Sequence, residues 1–346
     1  MRNQFACDLL MRNWEMARRV EEDFFKNFAR FTQRPKSAGP GWDGVVPNVT
    51  GTKVDRFYGG VSSVGITTTS WISWRKPKNA TMHMFIAIGG GSGGGGGLGG
   101  ASLSARGGGG GGASGAFSRL IVPSFFLPRQ LFFLPGPGGM GGASTSIGKT
   151  GNRSFISARP GFITAADLVL TSGAIAASSG LVGTAAGSVL GGGAETVAIQ
   201  TSAMFTSFGS FSATAGQTGG SGAAVTPAAP TPLLFGTSGI PVSGGTGGGS
   251  ASTTDATCAG GSLTGLGNIP SLAGGVAGGG NGQPGFDIVW PWVGTGGTGG
   301  GATGASGAAG RGGDGGYSCG GGGGGGGFGG GSGGNGGPGL CFAISW

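Results

Sequence analysis

Glycine dominates the composition, because 91 of the 346 residues are glycine while Asp, Glu, Lys and Arg together account for only 9%. Glycine has no side chain to bury and loses the most backbone entropy on ordering, which excludes a conventional enzyme core along the whole length. The low charge and the mean hydropathy of +0.14 argue against a charge-rich disordered tail. The 17 prolines are too few for collagen.

The net charge of +8 is not concentrated in one dense patch. The best basic cluster is Arg75, Lys76 and Lys78, which is better interpreted as a solvated strand edge than as a nucleic-acid site, because nucleic-acid binding usually needs more Lys and Arg grouped together. The most apolar segment, residues 116–135, is interrupted by arginines and prolines. It therefore predicts no membrane span.

Residues 1–35 are predicted to form an amphipathic α-helix. Apolar side chains recur at alternating spacings of four and three residues, a heptad seam whose one polar member is Glu21. We expect this helix either to attach the protein to a larger assembly and self-associate, or to fold back on its own domain. The residues predicted to serve attachment or oligomerisation are Leu10, Trp14, Ala17, Phe24, Phe28 and Phe31.

Residues 36–190 are predicted to form a strand-rich domain with glycine tracts. Segments rich in Val, Ile, Thr and aromatic residues, with alternating polarity, indicate short strands. The clearest of them, Thr81–Ile88, leads directly into the tracts Gly89–Gly100 and Gly107–Gly112. Residues 191–346 are predicted to form a glycine-rich domain that closes with a strand, Leu340–Trp346.

The last glycine tract has a three-residue period. Glycines 301, 304, 307, 310, 313 and 316 are three residues apart. Three residues per turn is the period of the polyproline II helix, whose backbone groups point outward and can bond to close neighbours only where no Cβ intervenes. The alternative is a flexible linker. The predicted fold class is therefore mostly β and irregular, with an N-terminal α-helix, short β-strands and a bundle of polyglycine II helices.

Catalytic, cofactor and metal sites are not predicted. The chain has one histidine and four cysteines, with no Cys-x-x-Cys pair, so a zinc site is improbable and unpaired thiols are expected. Residues 143–150 match a phosphate-binding loop loosely, but their glycine-rich flanks cannot begin the helix that such a loop needs. We therefore expect a protein that is not an enzyme.

Several segments together resemble the glycine-rich domain of bacteriophage tail fibres and related virion appendages. They are the Ser-Trp-Arg-Lys-Pro segment at 73–77, the strand that runs into glycines at 85–91, Gly-Pro-Gly-Gly at 136–139, Gly-Asn-Arg-Ser-Phe-Ile at 151–156, and the glycine run that ends in an apolar, tryptophan-terminated strand at 336–346. The resemblance covers about residues 62–346 and leaves the N-terminal segment outside.

This resemblance implies a virion structural protein, a tail-fibre or spike-like appendage that attaches to the host through loops of its glycine-rich region. The alternative is a purely structural cement, shaft or adaptor subunit without a receptor. Implied partners are other virion proteins, reached through residues 1–35, a host receptor of protein or glycan, and further copies of the chain, in a trimer for example. The implied location is the particle exterior.

Aromatic residues in the glycine-rich region are the candidate receptor contacts. Aromatic side chains on rigid loops offer contact area at low entropic cost. The alternative is that they pack at the ends of the glycine bundle as its core. The candidates are Phe286, Trp290, Trp292, Tyr317 and Phe328.

Overall fold

The computed structural model describes most of the chain from residue 52 onward. The described residues are 52–62, 71–161, 164, 167–173, 175–185, 188–196, 209–223, 229–234, 241–265, 269–289 and 292–346. The strands are β1 Lys53–Tyr58, β2 Val61–Ser62, β3 Ile72–Arg75, β4 Met82–Ile88, β5 Phe117–Pro123, β6 Gln130–Leu134, β7 Gly138–Gly139, β8 Phe155–Ser157, β9 Leu168–Thr171, β10 Ser210–Thr214, β11 Leu233–Leu234, β12 Leu263–Thr264, β13 Asp287–Val289, β14 Trp292–Gly294 and β15 Leu340–Ser345.

A five-stranded antiparallel sheet has the order β1-β15-β4-β5-β10. The last strand of the chain is inserted between two early strands: Leu340 pairs with Ile88 of β4 on one side and with Tyr58 of β1 on the other. Both faces of this sheet bury apolar side chains, which explains why β4, β5 and β15 are nearly continuous hydrophobic runs.

A four-stranded antiparallel sheet, in the order β3-β6-β8-β9, packs on one face of the first sheet. Phe85 and Leu120 of the five-stranded sheet share a core with Phe133, Ile156 and Leu170 of the four-stranded sheet. We call these two layers the sandwich. The other face of the five-stranded sheet carries a second cluster, which includes Ile86, Phe342 and Ile344. We call it the outer-face cluster.

The long glycine-rich segments leave the sandwich and run side by side in a hydrogen-bonded array, called the glycine array. Its principal members are residues 89–98, 107–116, 136–143, 146–154, 176–184, 189–195, 216–223, 244–251, 295–303, 310–316, 320–327 and 331–339. Successive residues of one segment bond to different neighbours. The N–H groups of Gly93, Gly94 and Gly95 donate to the carbonyls of Lys149, Gly334 and Gly110, respectively.

The same three neighbours recur three residues later. The N–H groups of Gly96, Gly97 and Leu98 donate to Ser146, Gly331 and Gly107. Each segment is thereby bonded along three directions rather than the two of a β-strand. Neighbouring backbones thus supply hydrogen-bond partners for the N–H and C=O groups of a region that has almost no side chains.

Glycine is required in the array because neighbouring backbones occupy the space of a Cβ atom. A Cβ on Gly94 would lie within 3.0 Å of the carbonyl of Gly322, and one on Gly97 within 3.0 Å of the carbonyl of Gly325. Real Cβ atoms do not approach backbone atoms so closely. At such positions the array is therefore held together by backbone contacts that a residue with a Cβ atom would separate.

The fold class predicted from the sequence was wrong. The described part of the chain is essentially all-β, with several antiparallel sheets and no α-helix. Its helical element is a single 3₁₀ turn, Ser124–Phe126. The N-terminal α-helix predicted over residues 1–35, together with its attachment residues, lies outside the described residues. The physical reason for the β class is that the apolar segments pair with other segments of the same chain, so their backbone hydrogen bonds form between strands rather than within a helix.

Candidate functional site

The glycine array has two distinct ends. Gly89 directly follows β4 and Ala116 directly precedes β5, and the two are joined by a hydrogen bond of 3.1 Å; this is the strand end. Leu98 bonds to Gly107 at the other extreme of the same pair of segments, which is the loop end. At about 3.1 Å per residue, the two ends are about 28 Å apart.

Several loops gather at the loop end. The loops that we assign to it are residues 99–105, 143–147, 252–256, 277–279, 303–309 and 328–330. Cross-links place them at one level: Gly327 N donates to Leu98 O, Ala251 exchanges hydrogen bonds with Arg106, and Thr303 N donates to Gly326 O. Loops distant in sequence thus form one continuous surface.

Large apolar side chains are displayed on this surface. Leu103 is 67% exposed, Phe328 54%, and Ile147 54%. Val276, at the start of the 277–279 loop, is 70% exposed. The core of the sandwich buries residues of the same types, such as Phe85, Leu120 and Ile156, almost completely. Neighbouring positions are mostly Ala, Ser, Thr and Gly.

A buried arginine ties these loops together. Arg106 is fully buried, and its Nη1 donates to Gly304 O at 2.9 Å while its Nε donates to Ser104 O at 3.0 Å. Its Nη2 pairs with the Asp255 carboxylate. One guanidinium therefore joins three loops, and such a planar donor fixes their relative orientation.

The carboxylate of Asp255 completes this junction. It accepts hydrogen bonds from Ser102 Oγ at 2.7 Å and from the N–H of Leu103 at 3.1 Å. These bonds, with the guanidinium of Arg106, hold the pKa of Asp255 below its usual value. Leu103 and Asp255 have φ angles of 61° and 56°, a left-handed conformation that non-glycine residues adopt only when their surroundings fix it. The exposed side chain of Leu103 is thus presented by a fixed backbone.

The structure separates the predicted receptor-contact residues. Phe328 lies at the loop end. Phe286 lies at the strand end, where its carbonyl accepts from Thr295 N and the adjacent Asp287 Oδ1 accepts from Tyr317 N at 2.6 Å. The ring of Tyr317 is 5.2 Å from that of Tyr58 in β1.

Two of these aromatic residues lie close to the sandwich. Tyr317 packs against the outer-face cluster and is only partly exposed, whereas Phe286 is 38% exposed. Trp292 is in β14, which pairs with β13, and Trp290 lies outside the described residues. The geometry at Tyr317 agrees with a packing role. Among the candidates whose side chains the structure describes, Phe328 is the one that shares a surface with the displayed apolar side chains.

A buried carboxyl group lies at the strand end. Glu195 Oε2 accepts from Ala116 N at 2.7 Å, and its Oε1 accepts from Ser172 Oγ at 2.7 Å. Gly89 and Gly173 leave the room that it needs, since a Cβ on either would lie within 3.0 Å of its side chain. Burial, opposed by these hydrogen bonds, raises the pKa of Glu195 to about 8.

The structure also buries the histidine and several cysteines, among them Cys319 and Cys341. His83 is buried, with Nδ1 2.9 Å from Ser345 Oγ and Nε2 3.2 Å from Ser124 Oγ; burial and then the charge of Lys76 lower its pKa to about 4. Cys319 and Cys341 are free and buried, and burial raises the pKa of both thiols. No group of three or more His, Cys, Asp or Glu residues within the described ranges could hold a metal ion.

The sequence analysis missed the importance of Arg106 and Asp255. Both are isolated charges in stretches otherwise made of Gly, Ala, Ser and Thr. A charge that a nearly uncharged region retains is a signal of a specific partner, because an unpaired buried charge is costly. The isolated charges could have predicted that each residue has a charged partner. Because 149 residues separate the two, the sequence does not show that they pair with each other.

None of the helices in the described part is long and apolar enough to span a bilayer. No protein-family model matches the chain, and no curated protein is significantly similar to it.

Proposed function

We propose that this protein is a structural component of a bacteriophage virion, a tail-fibre or spike-like appendage on the particle exterior. In this proposal the glycine array is a rigid stalk, and the loop end contacts a host surface receptor of protein or glycan. Residues 1–35 connect the protein to other virion proteins, and the chain assembles with further copies of itself.

One observation carries the proposal. The loop end displays Leu103, Ile147, Val276 and Phe328 on a surface about 28 Å from the sandwich, and Arg106 cross-links the loop of Leu103 to two neighbouring loops. A rigid surface that presents apolar side chains loses little entropy when it binds. Large apolar side chains exposed together at one end of a protein mark a candidate interaction site.

A competition experiment tests receptor contact. Purified full-length protein is added to host cells before phage, and the fraction of phage that adsorbs is measured. We expect the wild-type protein to reduce adsorption and Phe328→Asp to lose about tenfold in inhibitory potency, in the range of a hot-spot truncation. Phe286→Asp is the matched control, since it makes the same change at the strand end.

The alternative is a purely structural virion subunit without a receptor. It is favoured by the placement of Phe286 and Tyr317 beside the sandwich rather than on the loop end. If the wild-type protein is present in particles but neither binds cells nor blocks adsorption, the structural role stands and receptor binding is refuted. If Phe286→Asp rather than Phe328→Asp loses inhibition, contact occurs at the strand end instead.

A further inference from the structure

The end of the sandwich that faces away from the glycine array has a well-defined surface. It is formed by the turn 76–81, which precedes β4, and by residues 124–129, which follow β5. Backbone bonds join the two: Lys76 N donates to Arg129 O at 3.0 Å, and Ser124 N donates to Thr81 O at 2.8 Å. We call this surface the cationic end.

The shape of the cationic end is fixed by a lysine. The ammonium of Lys76 donates to the carbonyls of Ser124 at 2.6 Å and Leu127 at 2.9 Å, at either side of the 3₁₀ turn. This turn carries Phe125, whose side chain is 72% exposed, and Phe126, which packs against the core of the sandwich. The two rings are 4.0 Å apart, so the exposed ring of Phe125 packs on a partly buried neighbour.

The cationic end carries three exposed cations in addition to Phe125. Arg75, Lys78 and Arg129 are exposed, and no carboxylate of the described residues forms an ion pair with any of them. The two nearby acids are already engaged. Asp55 bonds to Lys53 and to the indole of Trp74, and Asp167 bonds to Arg159 and Thr164.

The effect of this charge is visible on two neighbouring groups. Burial and then the charge of Arg129 lower the pKa of Lys76. Burial and then the charge of Lys76 lower the pKa of His83. Burial is the larger cause for both groups, and the neighbouring cation adds to it, in agreement with the positive charge of the exposed side chains at this end.

The chain also enters the described structure here. Lys53, at the start of β1, pairs with Ser345, at the end of β15, and Trp346 O accepts from Thr81 N at 2.7 Å. The first described strand, β1, therefore begins at the cationic end. The loop end, where the proposed receptor contact is made, faces the opposite way.

We propose that the cationic end docks on an acidic protein surface of the virion, with Phe125 in an apolar pocket and Arg75, Lys78 and Arg129 opposite carboxylates. The inference rests on the proposed function, because the partner is a particle component. Aromatic residues and arginine are the types enriched in protein interfaces. Three cations around one aromatic side chain are a small, mixed patch compared with the dense basic stripe of a nucleic-acid site.

Incorporation into particles tests the docking surface. The full-length wild-type chain and its variants are produced during infection, and their amount in gradient-purified particles is measured by immunoblot. We expect the double variant Arg75→Glu, Lys78→Glu and the uncharged change Phe125→Ser each to reduce incorporation about tenfold. The matched control is Lys149→Glu, Arg311→Glu, which reverses two exposed charges outside the cationic end.

Further measurements separate the outcomes. Thermal unfolding of each purified variant shows whether it is folded. Release of the wild-type protein from particles as the salt concentration rises supports the charge pairing without any variant. Wild type absent from particles refutes the proposed function itself. Wild type present, with test and control variants equally incorporated, refutes only the docking surface. Binding of the wild-type protein to a DNA duplex and to phosphatidylglycerol vesicles is also measured. Tight binding to either one that is abolished by Arg75→Glu, Lys78→Glu assigns the surface to that partner and refutes docking on a virion protein.

Discussion

The guanidinium of Arg106 is completely enclosed at the loop end of the glycine array, and it pairs there with the carboxylate of Asp255, 149 residues further along the chain. This pair adds to the backbone hydrogen bonds between loops whose side chains, mostly those of Gly, Ala, Ser and Thr, offer few other contacts. Through the hydrogen bond from Leu103 N to Asp255, the pair fixes the backbone that displays the side chain of Leu103.

Replacing Arg106 tests the contribution of this ion pair to stability. Arg106→Ala removes three hydrogen bonds from a charged donor and a buried side chain, so we expect a loss of about 2–4 kcal/mol in the free energy of unfolding. Urea denaturation measures the change. Arg311→Ala is the control, because its pair with Asp314 at 2.5 Å is exposed on both sides and contributes little. Equal losses for the two variants would contradict the role assigned to Arg106.

The glycine requirement of the array is tested by adding one methyl group. Gly94→Ala places a Cβ within 3.0 Å of backbone atoms of Gly322, which cannot move without separating the segments. We expect it to lower the free energy of unfolding by about 3 kcal/mol. Gly60→Ala is the control, since nothing lies within 4 Å of its added Cβ. Unfolding curves that coincide for Gly94→Ala and the wild type would show that the array tolerates expansion.

The buried carboxyl group of Glu195 predicts a loss of stability with rising pH. Its pKa is raised to about 8 in the folded protein from 4.5, so between these values the folded state binds more protons than the unfolded state. The contribution is fully present below pH 4.5 and is lost as the pH rises to about 8. The slope of a single group is at most about 1.4 kcal/mol per pH unit.

The variant Glu195→Gln isolates this effect. It keeps the acceptor for the N–H of Ala116 and cannot ionise. We therefore expect its free energy of unfolding to vary less between pH 5 and 8, the window set by the two pKa values, than that of the wild type. Urea denaturation at each pH measures the difference. Parallel pH profiles for the two proteins would show that Glu195 is not protonated at neutral pH.

His83 predicts the opposite dependence at lower pH. Its pKa is lowered from 6.5 to about 4, so the unfolded state binds the proton first as the pH falls, and stability present above pH 6.5 is lost toward pH 4. The chain has one histidine, which makes the assignment direct. Nuclear magnetic resonance of the imidazole should give a pKa near 4 in the native protein, and a value near 6.5 would contradict the burial described here.

Local features of the sequence anticipated several strands. The alternation at Thr81–Ile88 corresponds to β4, and the apolar segment at the C-terminus corresponds to β15. The three-residue spacing of glycines is also the spacing of the bonds that Gly310, Gly313 and Gly316 donate to residues 301, 298 and 295. These features were predictable because they depend on backbone geometry and on side chains a few residues apart.

The candidate site was much less predictable. Composition singled out Phe328 and Tyr317 equally, but only the path of the glycine segments places one at the loop end and the other against the outer-face cluster. Likewise, Arg75 and Lys78 were interpreted as a solvated strand edge, and their proximity to Phe125 follows from the bonds between residues 76 and 129.

The sequence by itself determined that this chain must be built from closely packed backbones, since glycine at 91 positions leaves too few side chains for a conventional core. The tertiary structure alone decided which segments are neighbours. The backbones of glycine segments are chemically alike, so their pairing is set by the sandwich strands that begin and end them and by rare long-range contacts such as Arg106 with Asp255. Those contacts depend on distances in space that local sequence does not encode.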